Sequence, residues 1–321
     1  MSELQRFLFD GLPVRGAIVR LTDAWQEVLR RRAANTETGA WPAPVARLVG
    51  EMLAAGVLMH AHVKFDGTLI LQISGDGPVR LAVAQVDGQL RVRATASMGA
   101  AVAGDARLSD LVNCGGAGRC AITLDPRERA AGRQPYQGIV SLADDVGAPF
   151  SSLAQGLQHY MARSEQLPTT LVLAANEEVA AGLLVQRMPL TGEGNLGARV
   201  QDAEADYERI AVLAASLTPD ELLALEPPAV LHRLFWQENL MSLAPLTGKE
   251  GPRFACTCSR ERVAGMLRGL GEEEVRGILH ERGEVEVGCE YCGQQYRFDP
   301  VDAAQLFTAP GNQPPPSSRM Q

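Results

Sequence analysis

The chain has 321 residues, 46% hydrophobic and 21% charged, a balance that suits a soluble globular protein and argues against a disordered one. With 30 basic and 38 acidic residues, the formal charge is −8, which opposes phosphate backbones and anionic lipid as general partners. The length favours two or more domains over a single core.

The opening stretch MSELQRFLFDGLPVRG lacks a basic segment followed by a long apolar run, so it does not read as an export signal. No apolar stretch approaches the roughly 18 residues that span a bilayer. The expected address is the cytoplasm, where thiols are kept reduced. Thr22 predicts the N-cap of a helix carrying Trp25, Val28 and Leu29, and a second amphipathic helix places Val45, Leu48, Val49, Met52 and Leu53 on one face. From Val63 the apolar period falls to two. Val63 and Phe65 lead to a turn at Asp66 and Gly67, and Leu69, Leu71 and Ile73 lead to the GDGP turn at Gly75. Leu81 and Val83, a turn at Asp87 and Gly88, and Leu90 and Val92 complete a predicted antiparallel meander.

Further strands are expected at AITL (from Ala121), YQGIVSL (from Tyr136), TTLVLAA (from Thr169) and AGLLVQRM (from Ala181), with a helix over Leu153 to Arg163. The strand alternation ends near Pro189. Tyr207, Ile210, Ala211, Ala214 and Leu217 then fall at helical spacing. Thr218-Pro219-Asp220-Glu221 supplies an N-cap, a first-turn proline and a capping glutamate, and Leu231, Leu234 and Phe235 mark a third short helix after two prolines. APLTGKEGP is read as turns, and the sequence beyond Phe307 has no periodicity, as a disordered tail would. The expected architecture is α+β. It comprises an antiparallel-sheet domain with packed helices over 1–200, an amphipathic helical linker over 201–250, a small α/β zinc-binding domain over 251–308, and a tail over 309–321.

Cys256-x-Cys258 and Cys289-x-x-Cys292 are separated by thirty residues, 259–288. Two close pairs on a folded spacer supply four thiolates, the tetrahedral soft set that zinc prefers, and a site with no water position is structural. One Zn2+ per chain is expected on Cys256, Cys258, Cys289 and Cys292. CEYCG reads as a hairpin knuckle, led in by Val285 and Val287, turned at Gly293 and led out by Tyr296 and Phe298. In the spacer, Ser259 predicts a cap for a helix with Val263, Met266, Leu267 and Leu270 that stops at Gly271. A second helix carries Val275, Ile278 and Leu279 and stops near Gly283. The one-residue spacing of the first pair is unusual for a structural finger and requires a tight chelate. A domain of this size has a core that rarely supplies more than about 3–5 kcal/mol, whereas structural zinc contributes on the order of 10–16 kcal/mol. Loss of the metal therefore predicts unfolding, and exposed zinc thiolates are targets for peroxide or hypochlorous acid.

FDGLPVRG (from Phe9), KFDGTLILQISGDGPV (from Lys64), YQGIV, Tyr160 with SEQLPT (from Ser164), LLVQRMP (from Leu183), HRLFW (from His232), CTCS and CEYCGQQYRF together resemble the Hsp33 family over nearly the whole chain except the tail. The resemblance implies an ATP-independent holdase chaperone and not an enzyme, inactive while reduced and zinc-bound. It implies that oxidation pairs Cys256 with Cys258 and Cys289 with Cys292, releases zinc and unfolds the C-terminal domain and linker. The exposed surface would then hold unfolding client proteins, as a homodimer. Tyr207, Ile210, Leu213 and Leu217 are the expected client-binding residues, although no motif assigns that role. Two departures stand out: Ala181-Gly182 where the family often has Gly-Gly, and Cys114 and Cys120, which lie outside the family's redox pattern and are read as bystanders.

A competing reading is a constitutively reduced zinc ribbon that docks a protein or nucleic acid. From Arg253 to Arg297 seven arginines face eight glutamates, a poor footprint for phosphate. CGGAGR lacks the Gly-Lys-Ser/Thr ending of a phosphate loop and is expected to be a hairpin turn. His60 and His62 are expected to take surface or packing roles, His280 to be surplus to the four thiols or to support them from outside the ligand set, and Ser164, outside any nucleophile motif, to cap a helix or lie at an interface.

Overall fold

The computed structural model describes residues 1–35, 38–63, 65–127, 135–189 and 200–308. The glycine-rich stretch at 190–199 and the expected tail lie outside them. The chain divides into two compact units, one ending at Ala255 and one beginning at Cys256.

In the first unit, β1 (Glu3–Phe9), β2 (Val14–Leu21), α1 (Asp23–Ala33) and α2 (Ala43–His62) precede the meander β3 (Gly67–Ser74), β4 (Val79–Asp87) and β5 (Arg91–Met98). Then come α3 (Leu108–Val112), β6 (Arg119–Pro126), β7 (Tyr136–Ser141), α4 (Leu153–Arg163), β8 (Thr169–Ala175) and β9 (Ala180–Arg187). The helices α5 (Val200–Ala215), α6 (Pro219–Ala224) and α7 (Pro227–Phe235) follow, and three short strands end the unit: β10 (Leu240–Ser242), β11 (Leu246–Thr247) and β12 (Arg253–Phe254). One sheet runs β10-β1-β2-β9-β8, with β11 also on β1, and the other runs β12-β5-β4-β3-β6-β7. Pairing is antiparallel except at β12, which joins β5 in parallel.

Helix α2 lies between the sheets and packs against β4 and β5 of one and β2, β8 and β9 of the other. It is buried on nearly every side from Pro44 to His60, so the amphipathic reading of this segment is corrected. A helix enclosed by two apolar layers has no solvent side to mark with polar residues.

The β10-to-β8 sheet is buried on both faces, which splits its strands by parity. In β2, Ala17, Val19 and Leu21 face the core around α2, while Val14 and Ile18 face a second core. In β9, Ala180 and Leu184 face the first and Ala181, Leu183 and Val185 the second. This second core is completed by α5–α7 and holds a cluster of Phe7, Phe9 and Phe235, with the Phe9 and Phe235 rings edge-to-face at 5.0 Å.

Several local expectations are corrected. The strand read at Val63 and Phe65 is absent: α2 runs to His62, Val63 is its C-cap, and β3 starts at Gly67. After β4 the left-handed residue is Leu90, at φ 55°, rather than Gly88. Thr22 is an N-cap by position but its side chain makes no capping bond. Ser2, distant in sequence, takes that role. Its hydroxyl accepts from the Thr22 and Ala24 N–H groups and donates to Asp23 Oδ1. The NCGGAGRC stretch links α3 to β6 and is not a hairpin. Its Gly115 and Ala117 N–H groups bind the Asp76 carboxylate at 2.9 and 3.0 Å, so an internal anion fills the loop. The turns read in APLTGKEGP include β11, and β10 precedes it, so the segment after α7 returns to β1.

A Cβ at Gly182 would lie 2.7 Å from Leu58 Cδ1 and 2.9 Å from Leu173 Cδ2, whereas Ala181 points its methyl into the second core. Gly182→Ala is expected to cost about 1–3 kcal/mol, measured by urea unfolding. A change below about 0.5 kcal/mol would show that α2 shifts freely, against the packing described.

Candidate metal centre

The second unit contains α8 (Arg260–Leu270), α9 (Glu272–Arg282), the hairpin β13 (Val285–Gly288) and β14 (Gln295–Phe298), and α10 (Pro300–Phe307). Ser259 caps α8 by accepting the Arg262 N–H at 3.3 Å, and Gly283 ends α9 in the left-handed region at φ 81°. The buried core is small: Ala264, Leu267, Val275, Val285, Phe298 and Ala303. Arg260 lies over the Phe298 ring at 4.2 Å and pairs with Asp302 at 2.7 Å, which ties the start of α8 to β14 and α10.

Two turns deliver the cysteines. Cys256 and Cys258 lie just before the Ser259 cap of α8. Cys289 and Cys292 sit on the knuckle between β13 and β14, where the Cys289 N–H donates to the Gln294 carbonyl at 2.9 Å. The Gly293 N–H donates to the Cys289 carbonyl at 2.7 Å, with Gly293 at φ 72°, a conformation that an L side chain rarely adopts. All four sulfurs lie within 4.8 Å of one another. Cys256 meets Cys289 at 3.6 Å and Cys258 meets Cys292 at 3.3 Å, contacts that run across the two pairs. Zinc–sulfur bonds of about 2.3 Å in a tetrahedron place sulfurs roughly 3.8 Å apart, so the donor set and its spacing fit zinc.

Burial raises the Cys256 thiol, yet hydrogen bonds from the Cys258 backbone and the neighbouring cysteines outweigh it and bring it down to about 7. Burial pushes Cys289 and Cys292 up instead. Cys256 is thus the easier of these to ionise, and a thiolate is the form that binds metal or attacks an oxidant. Tyr296 Oη donates to Cys258 Sγ at 3.1 Å, a contact that orients the sulfur from outside the donor set. The sequence reading gave Tyr296 only as a strand residue; its place just after the knuckle was the available signal. His280 is exposed on α9 and is not in the cluster.

The other singled-out residues fall elsewhere. Cys120 is fully buried in β6, its thiol pushed up to about 12 by burial, while Cys114 is exposed and donates to the Asp110 carbonyl. His60 is buried with Nε2 3.4 Å from the Gly67 carbonyl, and His62 bonds the Leu58 carbonyl at 2.8 Å. Ser164 is the C-cap of α4. Tyr207, Ile210 and Leu217 are buried in the second core, and Leu213 packs against it partly exposed.

The features together define a class: a two-unit α+β protein with a small C-terminal unit gathered around a four-thiol, metal-type site. A family model described as "Hsp33 protein" matches residues 2–299. The chain is 46% identical to a 33 kDa chaperonin of Chromobacterium violaceum, covering 95% of this chain and 94% of the relative. It is 41% identical to one of Neisseria meningitidis serogroup A, covering 94% and 90%. The crystal structure of the 33 kDa chaperonin (heat shock protein 33 homolog) of Thermotoga maritima shares the fold at a TM-score of 0.71 and 22% identity, covering 95% of this chain and 97% of that one. The chain belongs to the Hsp33 family.

Treatment with a strong zinc chelator is expected to abolish amide protection across α8–α10 while leaving β1–β9 protected, read by hydrogen exchange. Retained protection in α8–α10 after the metal is gone would show that the small core suffices.

Proposed function

We propose that this protein is a redox-switched, ATP-independent holdase that keeps unfolding proteins from aggregating under oxidative stress in the cytoplasm. The observation that carries the reading is the convergence of four thiols in a unit with so small a core. Cys256, Cys258, Cys289 and Cys292 would hold one Zn2+ in the reduced protein, and the ion's contribution there is structural.

Oxidation removes the donors. The Cys256 thiolate attacks a peroxide oxygen and becomes a sulfenic acid as the other oxygen leaves as water or hydroxide; Cys258 then displaces water to form the disulfide. Cys289 and Cys292 form the second pair in the same way. Each disulfide accounts for two electrons and one peroxide. Without four thiolates the C-terminal unit loses its folded state, and with the intervening strands β10–β12 released as well, α5–α7 leave the sheet. What they uncover is an apolar face carrying Phe7, Phe9, Ile18, Leu183 and Val185, together with their own stripe of Tyr207, Ile210, Leu213 and Leu217. An exposed apolar face of this kind would bind unfolded chains and a second copy alike, which suits an active homodimer.

Oxidation with peroxide under mild heat, or with hypochlorous acid, is expected to release about one zinc per chain. Suppression of client aggregation without ATP should appear over the same time course. Cys289→Ser should hold zinc more weakly and protect clients with less oxidant. Equal protection before and after oxidation would remove the switch and leave the constitutive zinc-ribbon reading.

Ile210 is fully buried between α5 and the sheet. Ile210→Glu strands a charge there at a cost of several kcal/mol and should loosen α5. The reduced variant is then expected to protect clients, in the same aggregation assay, at a level the reduced wild type does not reach. An inactive reduced variant with loosened helices would place client binding elsewhere.

A further inference from the structure

Apart from HRLFW, the stretches outside the cysteine segment that carry the family resemblance converge on one place. Arg15 of FDGLPVRG, Leu69 of KFDGTLILQ, Tyr136 of YQGIV, Tyr160 with Glu165 and Leu167 of SEQLPT, and Gln186 of LLVQRMP all line a single cavity of about 260 Å³ in the first unit. None of them belongs to the cysteine switch or to the face under α5–α7.

The walls are apolar, with a polar group of distinct composition. Arg15 donates from Nε and Nη2 to Gln186 Oε1 at 3.1 and 2.5 Å, and Gln186 in turn donates to Thr169 Oγ1 at 2.9 Å. The other three N–H donors of the Arg15 fork have no partner among the described residues, and no carboxylate pairs with it there. Burial lowers Arg15 from its ordinary value, and a guanidinium keeps its charge in proteins. Glu165 is engaged otherwise: its Oε1 accepts from Tyr160 at 2.6 Å and Tyr136 at 2.9 Å. Gly138 of the same YQGIV stretch makes this possible, because a Cβ there would overlap the Tyr160 hydroxyl. His62 contributes no second positive charge, since burial holds it down to about 4.

A half-buried guanidinium without an anion, beside an apolar cavity, is complementary to an apolar acid. A cavity of roughly 150 Å³ accommodates benzene, so one of this volume suits a ligand of about ten non-hydrogen atoms. We propose that the cavity binds a medium-chain monocarboxylate, its chain among Met59, Leu69, Leu157, Leu171 and Leu184 and its carboxylate on the Arg15 guanidinium.

The test is calorimetric titration of the full-length, reduced, zinc-loaded protein with octanoate, 1-octanol and acetate, repeated on Arg15→Gln. Octanoate should bind saturably to the wild type, acetate should not, and both 1-octanol on the wild type and octanoate on the variant should bind about tenfold more weakly or worse. Hydrogen exchange on the wild type locates the site without relying on a variant, and octanoate should protect β7 and α4. Absence of saturable octanoate binding to the wild type, equal affinity of octanoate and 1-octanol, or protection on α5–α7 instead would overturn the proposal. The reduced state is used throughout, so failure of the oxidative switch leaves the outcome intact.

Discussion

The C-terminal unit is arranged around one contact set, in which four sulfurs bring Cys256 and Cys258 together with Cys289 and Cys292 across thirty intervening residues. The helices between them bury little: Val275 is the only fully buried side chain of α9, and α8 buries only Ala264 and Leu267. A fold so thinly packed would draw its cooperativity from a metal held by those sulfurs. With a metal held there, whatever competes for those sulfurs would compete with the folded state, and thiol chemistry would become a structural event.

The first unit solves the opposite problem. Helix α2 is enclosed by two sheets, and the interior around it is deep and continuous. One sheet nevertheless has a second apolar face, covered by three short helices. Those helices have strong local signals. Thr218 and Glu221 form a reciprocal capping box, with the Glu221 N–H donating to Thr218 Oγ1 at 3.3 Å and the Thr218 N–H donating to Glu221 Oε2 at 3.0 Å. Local capping lets a helix keep its shape with less help from its docking surface. An enclosed core and a cover of locally capped helices thus share one sheet.

The sequence disclosed features whose cause is local. The cysteine spacing, the Ser259 cap, the helix over Leu153–Arg163 and the capping box at Thr218 each rest on a few neighbouring residues, and the structure has them where they were read. Features with distant causes were missed. Ser2 caps α1 across more than twenty residues, which no window around Thr22 contains. Burial of α2 on all sides depends on two sheets whose strands come mostly later in the chain. β10–β12 are two or three residues long, below the length at which alternation can be recognised. Tyr296 was visible as an aromatic but not as a donor to Cys258, because that contact spans the fold of the unit.

The parallel strand β12 has a consequence for how disorder would spread. The Arg253 N–H donates to the Leu90 carbonyl and the Ala255 N–H to the Val92 carbonyl, both at 3.1 Å. The Arg253 guanidinium adds bonds to the Gln89 and Lys249 carbonyls at 2.8 and 2.7 Å. Fraying that begins at Cys256 meets this clasp before it can reach β11, β10 or α7. The clasp would act as a ratchet tooth in the backbone: short excursions beyond Cys256 would leave it shut, and only a sustained loss of order in the C-terminal unit would open it toward the helical cover.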